Sequence, residues 1–159
     1  MESKKQLFLI FGVAFCAFLV FVSIRIFSEN DESRIRKTVY AGILAVEKKD
    51  IPRCAHLVSE TYKDDYGNDK EHLLKIARDI FKAYEEFRIM IKRLKIEVKG
   101  SEGSANIGFT CYFKKPGDKN IYYDSGELKV YFHQENEAWK VSQLEYKGSN
   151  ELLFLQSVA

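Results

Sequence analysis

Apolar residues fall along this chain in three rhythms, and each rhythm predicts a different kind of element. Over 7–24 they are nearly continuous, reading LFLIFGVAFCAFLVFVSI between Lys4-Lys5 and Arg25. With Ile26 and Phe27 the run is long enough to cross a bilayer as one helix. After a short polar link over 28–32 the spacing turns helical, with Ile35, Val39, Ile43 and Val46 on one stripe. Asn30 can cap that helix, and Asp31 and Glu32 in its first turn suit the helix dipole. Asp50 caps a second, short helix that carries Pro52 in its opening turn and runs to about Ser59. A loop over 62–68 follows. Asp69 then opens a third helix with Leu73, Ile76 or Ala77, Ile80, Tyr84 and Phe87 on its buried side. From Arg88 the period is two, which predicts strands over 89–98, 106–114, 121–133 and 139–146. Polar turns join them, including Pro116-Gly117-Asp118-Lys119, so the strands pair as antiparallel neighbours. Ser125-Gly126 is the expected place for a bend in the third strand. The fold class is α+β: three N-terminal helices packed on one face of a curved antiparallel sheet, preceded by one transmembrane helix.

The first rhythm also says where the domain sits. The run is too long for a signal-peptide core, and its exit, Val22-Ser23-Ile24-Arg25, lacks a small-x-small cleavage pattern. Residues 6–27 therefore read as a retained anchor contacting the membrane, with 1–5 as a cytoplasmic tip and 33–159 as one domain. Lys4 and Lys5 precede the anchor while Glu29, Asp31 and Glu32 follow it, so the domain is expected outside the cytoplasm. Gly12 and Cys16 are a small-xxx-small pair able to seat a neighbouring helix.

Charge narrows the partners. The chain holds 25 basic and 23 acidic residues; without Lys4, Lys5, Arg25 and Glu2 the domain carries 22 of each. A nucleic-acid binder would show a net basic face, so nucleic acid is not an expected partner. Protein partners or a homodimer remain open, and the apolar tail over 151–159 suits a docking surface. Cys54 and Cys111 read as core residues, and an exported compartment would permit a disulfide between them. His56, His72 and His133 lack metal-ligand spacing, and no metal or cofactor motif is present. The Gly100-Ser101-Glu102-Gly103-Ser104 stretch is a hairpin turn and no phosphate loop, because no helix follows it. Tyr112, Tyr122, Tyr123 and Tyr131 are candidates for one aromatic sheet face, with Tyr112 and Tyr131 as ligand-binding candidates.

Several short motifs carry a resemblance in their order. They are Lys48-Lys49-Asp50-Ile51, then Leu57-Val58-Ser59-Glu60-Thr61-Tyr62, Asp69-Lys70-Glu71, and Glu137-Ala138-Trp139-Lys140-Val141. Over roughly 31–147 this resembles the nuclear-transport-factor-2-like superfamily, which includes SnoaL-like proteins and ketosteroid isomerases. Lys49 departs from it, since family members often have glycine there. The resemblance implies a cone: a strongly bent sheet wrapped over helices around an apolar pocket. It implies Asp65, with Asp64 beside it, at the position of the isomerases' general base. Their oxyanion tyrosine would fall at Gly42 by ungapped counting, with Tyr40 two residues away. That mismatch favours a non-catalytic, membrane-tethered interaction or scaffold domain, similar in architecture to the inner-membrane scaffold subunits of type IV secretion machines. The alternatives are a lyase or isomerase with Asp65 as base and Tyr40 or another pocket tyrosine as donor, or a binder of apolar ligands in the cone.

Overall fold

In a computed structural model of the protein, the structure describes residues 30–148. The chain divides into two units after Asn30, and the second is the one described here. The expected anchor over 6–27 and the apolar tail over 151–159 lie outside the described residues. Among the described residues no helix is long and apolar enough to cross a membrane.

Three helices precede four strands: α1 (Asp31–Glu47), α2 (Ile51–Leu57), α3 (Lys70–Ala83), β1 (Glu86–Lys99), β2 (Glu102–Lys114), β3 (Ile121–Glu135) and β4 (Ala138–Gly148). The sheet is antiparallel throughout, in the order β1-β2-β3-β4. Two of the expected caps are present. Asp50 accepts from the Arg53 amide at 3.0 Å, and Asp69 accepts from the His72 amide at 2.9 Å.

Lys49, where the resemblance would place glycine, links α1 to α2 at φ +55°. That is the left-handed conformation a helix C-terminus favours, and a side chain there carries strain. Its ammonium donates to the Tyr84 carbonyl and lies 5.8 Å from the Phe87 ring centroid, so contacts offset that strain.

The hairpins are tighter than the sequence suggests. Gly100, at φ +60°, makes β1 and β2 meet across only two residues, and Asn136-Glu137, both at positive φ, do the same for β3 and β4. No bulge marks Ser125-Gly126, where the sequence places a bend. β2 and β3 pair without a break through this region, and the irregularities fall between Ile91 and Arg93 on β1 and opposite Tyr131/Phe132 on β4. The extra residues there are Lys92 and Ser142.

The main core lies between α1 and the inner face of the sheet. Ile35, Val39, Ala105, Ile107, Val130, Phe132 and Trp139 are buried, with Ile91, Leu94, Leu128 and Leu144 packed around them. Gly103 permits this approach, because a Cβ there would lie 2.4 Å from Ile35 Cδ1 and 3.4 Å from Trp139 Cζ3. The indole Nε1 of Trp139 donates to Asp31 Oδ1 at 3.1 Å, tying the start of α1 to β4. The helices do not share the sheet equally. α1 lies across it, α2 packs on α1 and against β4, and α3 packs on α2. At its C-terminal end α3 meets the sheet through rings, Phe81 with Phe87 at 5.8 Å and Tyr84 with Phe113 at 5.0 Å between centroids. No residue of α3 is fully buried.

Gly103→Ala should cost about 1–3 kcal/mol, since the added methyl must displace Ile35 from a closed contact. Gly108→Ala is the control: its Cβ would meet Arg93 Cβ at 3.5 Å, an ordinary contact. Urea denaturation should show the first variant clearly weakened and the second within about 0.5 kcal/mol of the wild type.

Candidate functional site

The site follows from strand alternation. Residues paired directly across antiparallel strands share a face, so the pairs Ile89↔Cys111 and Cys111↔Asp124 form one inward row across β1, β2 and β3. The inward positions of β3 read Tyr122, Asp124, Gly126, Leu128, Val130, Phe132. Asp124 is thus a carboxylate set among apolar and glycine positions. Every other inward position on the four strands is uncharged.

Tyr146 reaches this carboxylate from β4. Its ring passes close over Gly126, where a Cβ would sit 2.7 Å from the hydroxyl oxygen and 2.8 Å from Cε2. Phe109 flanks the ring at 6.3 Å between centroids. The hydroxyl donates to Asp124 Oδ2 at 3.5 Å, a long bond that leaves the oxygen free to take a better donor. Asp124 Oδ1 accepts from the Ser125 amide at 2.8 Å. Burial first, and then the Asp124 charge, raise the Tyr146 phenol above its ordinary pKa.

At the β1 end of the row stands a second carboxylate. Glu47, in the last turn of α1, accepts from the Ile89 amide at 2.8 Å. Cys111 lies between the two acids. Burial, then Asp124, then Glu47 push its thiol up to about 11, so it stays protonated at neutral pH and is no nucleophile. The four groups are half-buried rather than sealed. Around them stands a ring cluster of Tyr84, Phe87, Phe113 and Tyr122, with Tyr84 edge-on to Phe113 and Phe113 stacked on Tyr122 at 5.9 Å. The arrangement is an apolar, aromatic wall with a hydroxyl, a thiol and two carboxylates on it. Among the described residues no group of His, Cys, Asp and Glu is placed to hold a metal ion.

The candidates chosen from sequence lie elsewhere. Asp65 is exposed and accepts from Gln143 Nε2 at 2.8 Å. Its neighbour Asp64 shapes the loop, taking the amides of Tyr66 and Asn68 and the Asn68 side chain at 2.9–3.0 Å. Tyr40 is 52% exposed on α1 and shares no hydrogen bond with Asp65. Tyr112 and Tyr131 are on the outer face of the sheet, with Tyr123, whereas Tyr122 is on the inner one; the four do not make one surface. Tyr112 packs against Tyr123 at 6.2 Å, and Tyr131 donates to Glu145 at 3.1 Å. Cys54 and Cys111 are both free thiols, on α2 and β2, so the disulfide is not formed. Tyr62, read in the sequence only as the end of a motif and the start of a loop, is 3% exposed with its hydroxyl lacking a partner among the described residues. Burial, then the nearby Asp64 charge, raise its pKa.

No protein-family model matches the sequence, and no curated protein matches it. Solved structures match the fold. A nuclear transport factor 2-like superfamily protein from Salmonella enterica serovar Typhimurium superposes with a TM-score of 0.67 at 11% identity, covering 76% of this chain and 92% of that one. A candidate dehydratase of the same family from Streptomyces avermitilis gives 0.68 at 11%, covering 76% and 98%. The hexachlorocyclohexane dehydrochlorinase LinA-type3 from Novosphingobium barchaimii gives 0.64 at 14%, covering 74% and 86%. The fold is therefore nuclear-transport-factor-2-like.

The Cys111 environment makes a testable prediction. With Cys16 and Cys54 changed to Ser, alkylation by iodoacetamide at pH 8 should be roughly a hundredfold slower than for a free thiol. Asp124→Asn should speed it by removing one of the charges that disfavour the thiolate. The proton held in the fold stabilises it below about pH 9, the ordinary value for the thiol, and that contribution is lost as pH rises toward about 11. A wild-type rate at pH 8 equal to that of free cysteine would contradict this environment.

Proposed function

We propose that this nuclear-transport-factor-2-like domain binds a small, largely apolar molecule against the inner face of its sheet, with the ligand's polar atom at Asp124 and Tyr146. The observation that carries the reading is the pairing of a carboxylate and a tyrosine hydroxyl on an otherwise uncharged inner face. A purely structural sheet gains no packing from a carboxylate on a face whose other strand positions are uncharged. The apolar walls supply affinity, and the two polar groups set orientation. We prefer this reading to the scaffold one, which would need an exposed apolar patch or a dimer interface.

The same pair favours a second reading, catalysis. A carboxylate beside a phenol on a shielded wall is suited to take a proton from a carbon acid while the hydroxyl steadies the developing oxyanion. Two of the superposed structures are described as a dehydratase and a dehydrochlorinase, names that denote eliminations. The roles would then be Asp124 as base and Tyr146 as donor, in place of Asp65 and Tyr40.

Binding is tested with a neutral probe, 2-naphthol, by amide chemical-shift mapping of the protein. Shifts should concentrate at Cys111, Asp124, Gly126 and Tyr146. Tyr146→Phe should weaken binding roughly threefold to tenfold, the worth of one hydrogen bond. Shifts confined to the outer face, or none, would refute the reading.

The apolar run over 6–27 supports a membrane-held domain outside the cytoplasm, and that placement is part of the proposal. In intact cells or right-side-out vesicles, external protease should digest residues 28–159 while the protein fractionates with membranes. A soluble, N-terminally trimmed protein would count against it.

A further inference from the structure

Granting the binding reading above, the charge balance of the inner face narrows what it can bind. Asp124 is the one charged side chain among the inward sheet positions, and Glu47 is the acid that α1 adds at the other end of the same row. Two strand spacings separate Ile89 from Asp124, about 10 Å, with Cys111 midway. Neither acid forms an ion pair with a Lys, Arg or His among the described residues. Glu47 has the Ile89 amide, and Asp124 has the Ser125 amide and the long contact from Tyr146. The nearby cation, Lys49, is already engaged by the Tyr84 carbonyl and the Phe87 ring. Beside the acids the wall is aromatic: Phe109 and Tyr146 lie 6.3 Å apart at a tilt, faces that attract a cation as well as an apolar group.

We infer that the ligand of this face is an amine: an aryl or alkyl ammonium whose N–H groups reach Asp124 Oδ2 while its apolar part lies on Phe109 and the Tyr146 ring, with the Glu47 carboxylate adding its negative field from the far end of the row. An ammonium brings only donors, and each polar group it would meet here can accept. A carboxylate or phosphate ligand would instead meet two like charges, while Lys49 is held at the Tyr84 carbonyl and the Phe87 ring. A neutral hydroxyl would satisfy Asp124 but leave the charge uncompensated. Charge-assisted hydrogen bonds are roughly twice as strong as neutral ones, which sets the sense of the preference.

The test uses three probes with one ring system: 2-naphthylmethylamine, 2-naphthalenemethanol and 2-naphthoate. Each is titrated by calorimetry into the full-length protein in a neutral detergent at pH 7.5. The amine should bind at least tenfold more tightly than the alcohol, and the naphthoate most weakly. Asp124→Asn should shrink the amine's advantage over the alcohol to within about threefold, and Glu47→Gln should reduce it partway. If the alcohol or the naphthoate binds as tightly as the amine, the amine assignment is wrong and the binding reading stands. An amine advantage that persists undiminished in Asp124→Asn also overturns it. If none of the three binds, the binding reading fails and the amine assignment fails with it. The wild-type ranking decides the question even where a variant does not fold.

Discussion

The contact on which the rest depends is the seating of Ile35 against Gly103 beside the Trp139 indole. Ile35 is fully buried, and Gly103 supplies the space that any side chain would take. This fixes how near α1 comes to the sheet at one end. The Trp139 hydrogen bond to Asp31 then holds the start of the helix, and the buried line through Val39 sets its course. Glu47 lies three turns farther along that same rigid rod, so its reach to the Ile89 amide is decided by a contact at the opposite end of the helix. Packing at the closed end thus positions chemistry at the open one.

A second division of labour separates the two faces of the sheet. On the inner face, apolar residues fill the space under α1 and give way, toward the free ends of β3 and β4, to Asp124 and Tyr146. On the outer face, charges alternate along the strands and pair locally, as Arg93 does with Glu127 and Lys95 with Glu97. Such exposed pairs contribute little to stability. They keep the outer face wet, and burial effort is concentrated inside.

Much of this was legible in the sequence because the relevant signals are local. Asp50 and Asp69 announce helix starts, and period-two runs announce strands whatever their partners. Trp139 beside Val141 reads correctly as an inward residue, and it is 4% exposed. What failed depended on pairing. Gly126 suggested a bulge because its true reason, the Tyr146 ring lying over it, comes from another strand twenty residues on. The β4 irregularity at Ser142 shifts register, so Tyr146 cannot be matched to Asp124 by counting. A clue was nonetheless present. Tyr131 stands between Val130 and Phe132, both core residues, and must therefore face away from them. The same alternation run backwards from Phe132 brings Asp124 inward, and a carboxylate in that series is the signal that choosing tyrosines by type overlooked.

The extra residue at Lys92 has a consequence for the protein's behaviour in company. The outer edge of β4 is covered by the segment that follows α2, through the parallel bridge of Val58 with Val141 and the Ser59 and Lys63 amides. β1 is left as the other border of the sheet. A strand of fourteen residues at the border of a sheet is a template on which another chain can polymerise. The extra residue at Lys92 breaks its spacing near the middle, and the Glu47 carboxylate already takes the Ile89 amide. A second copy arriving border to border would meet mismatched spacing and an amide already taken, so this edge is a poor seed for fibrils.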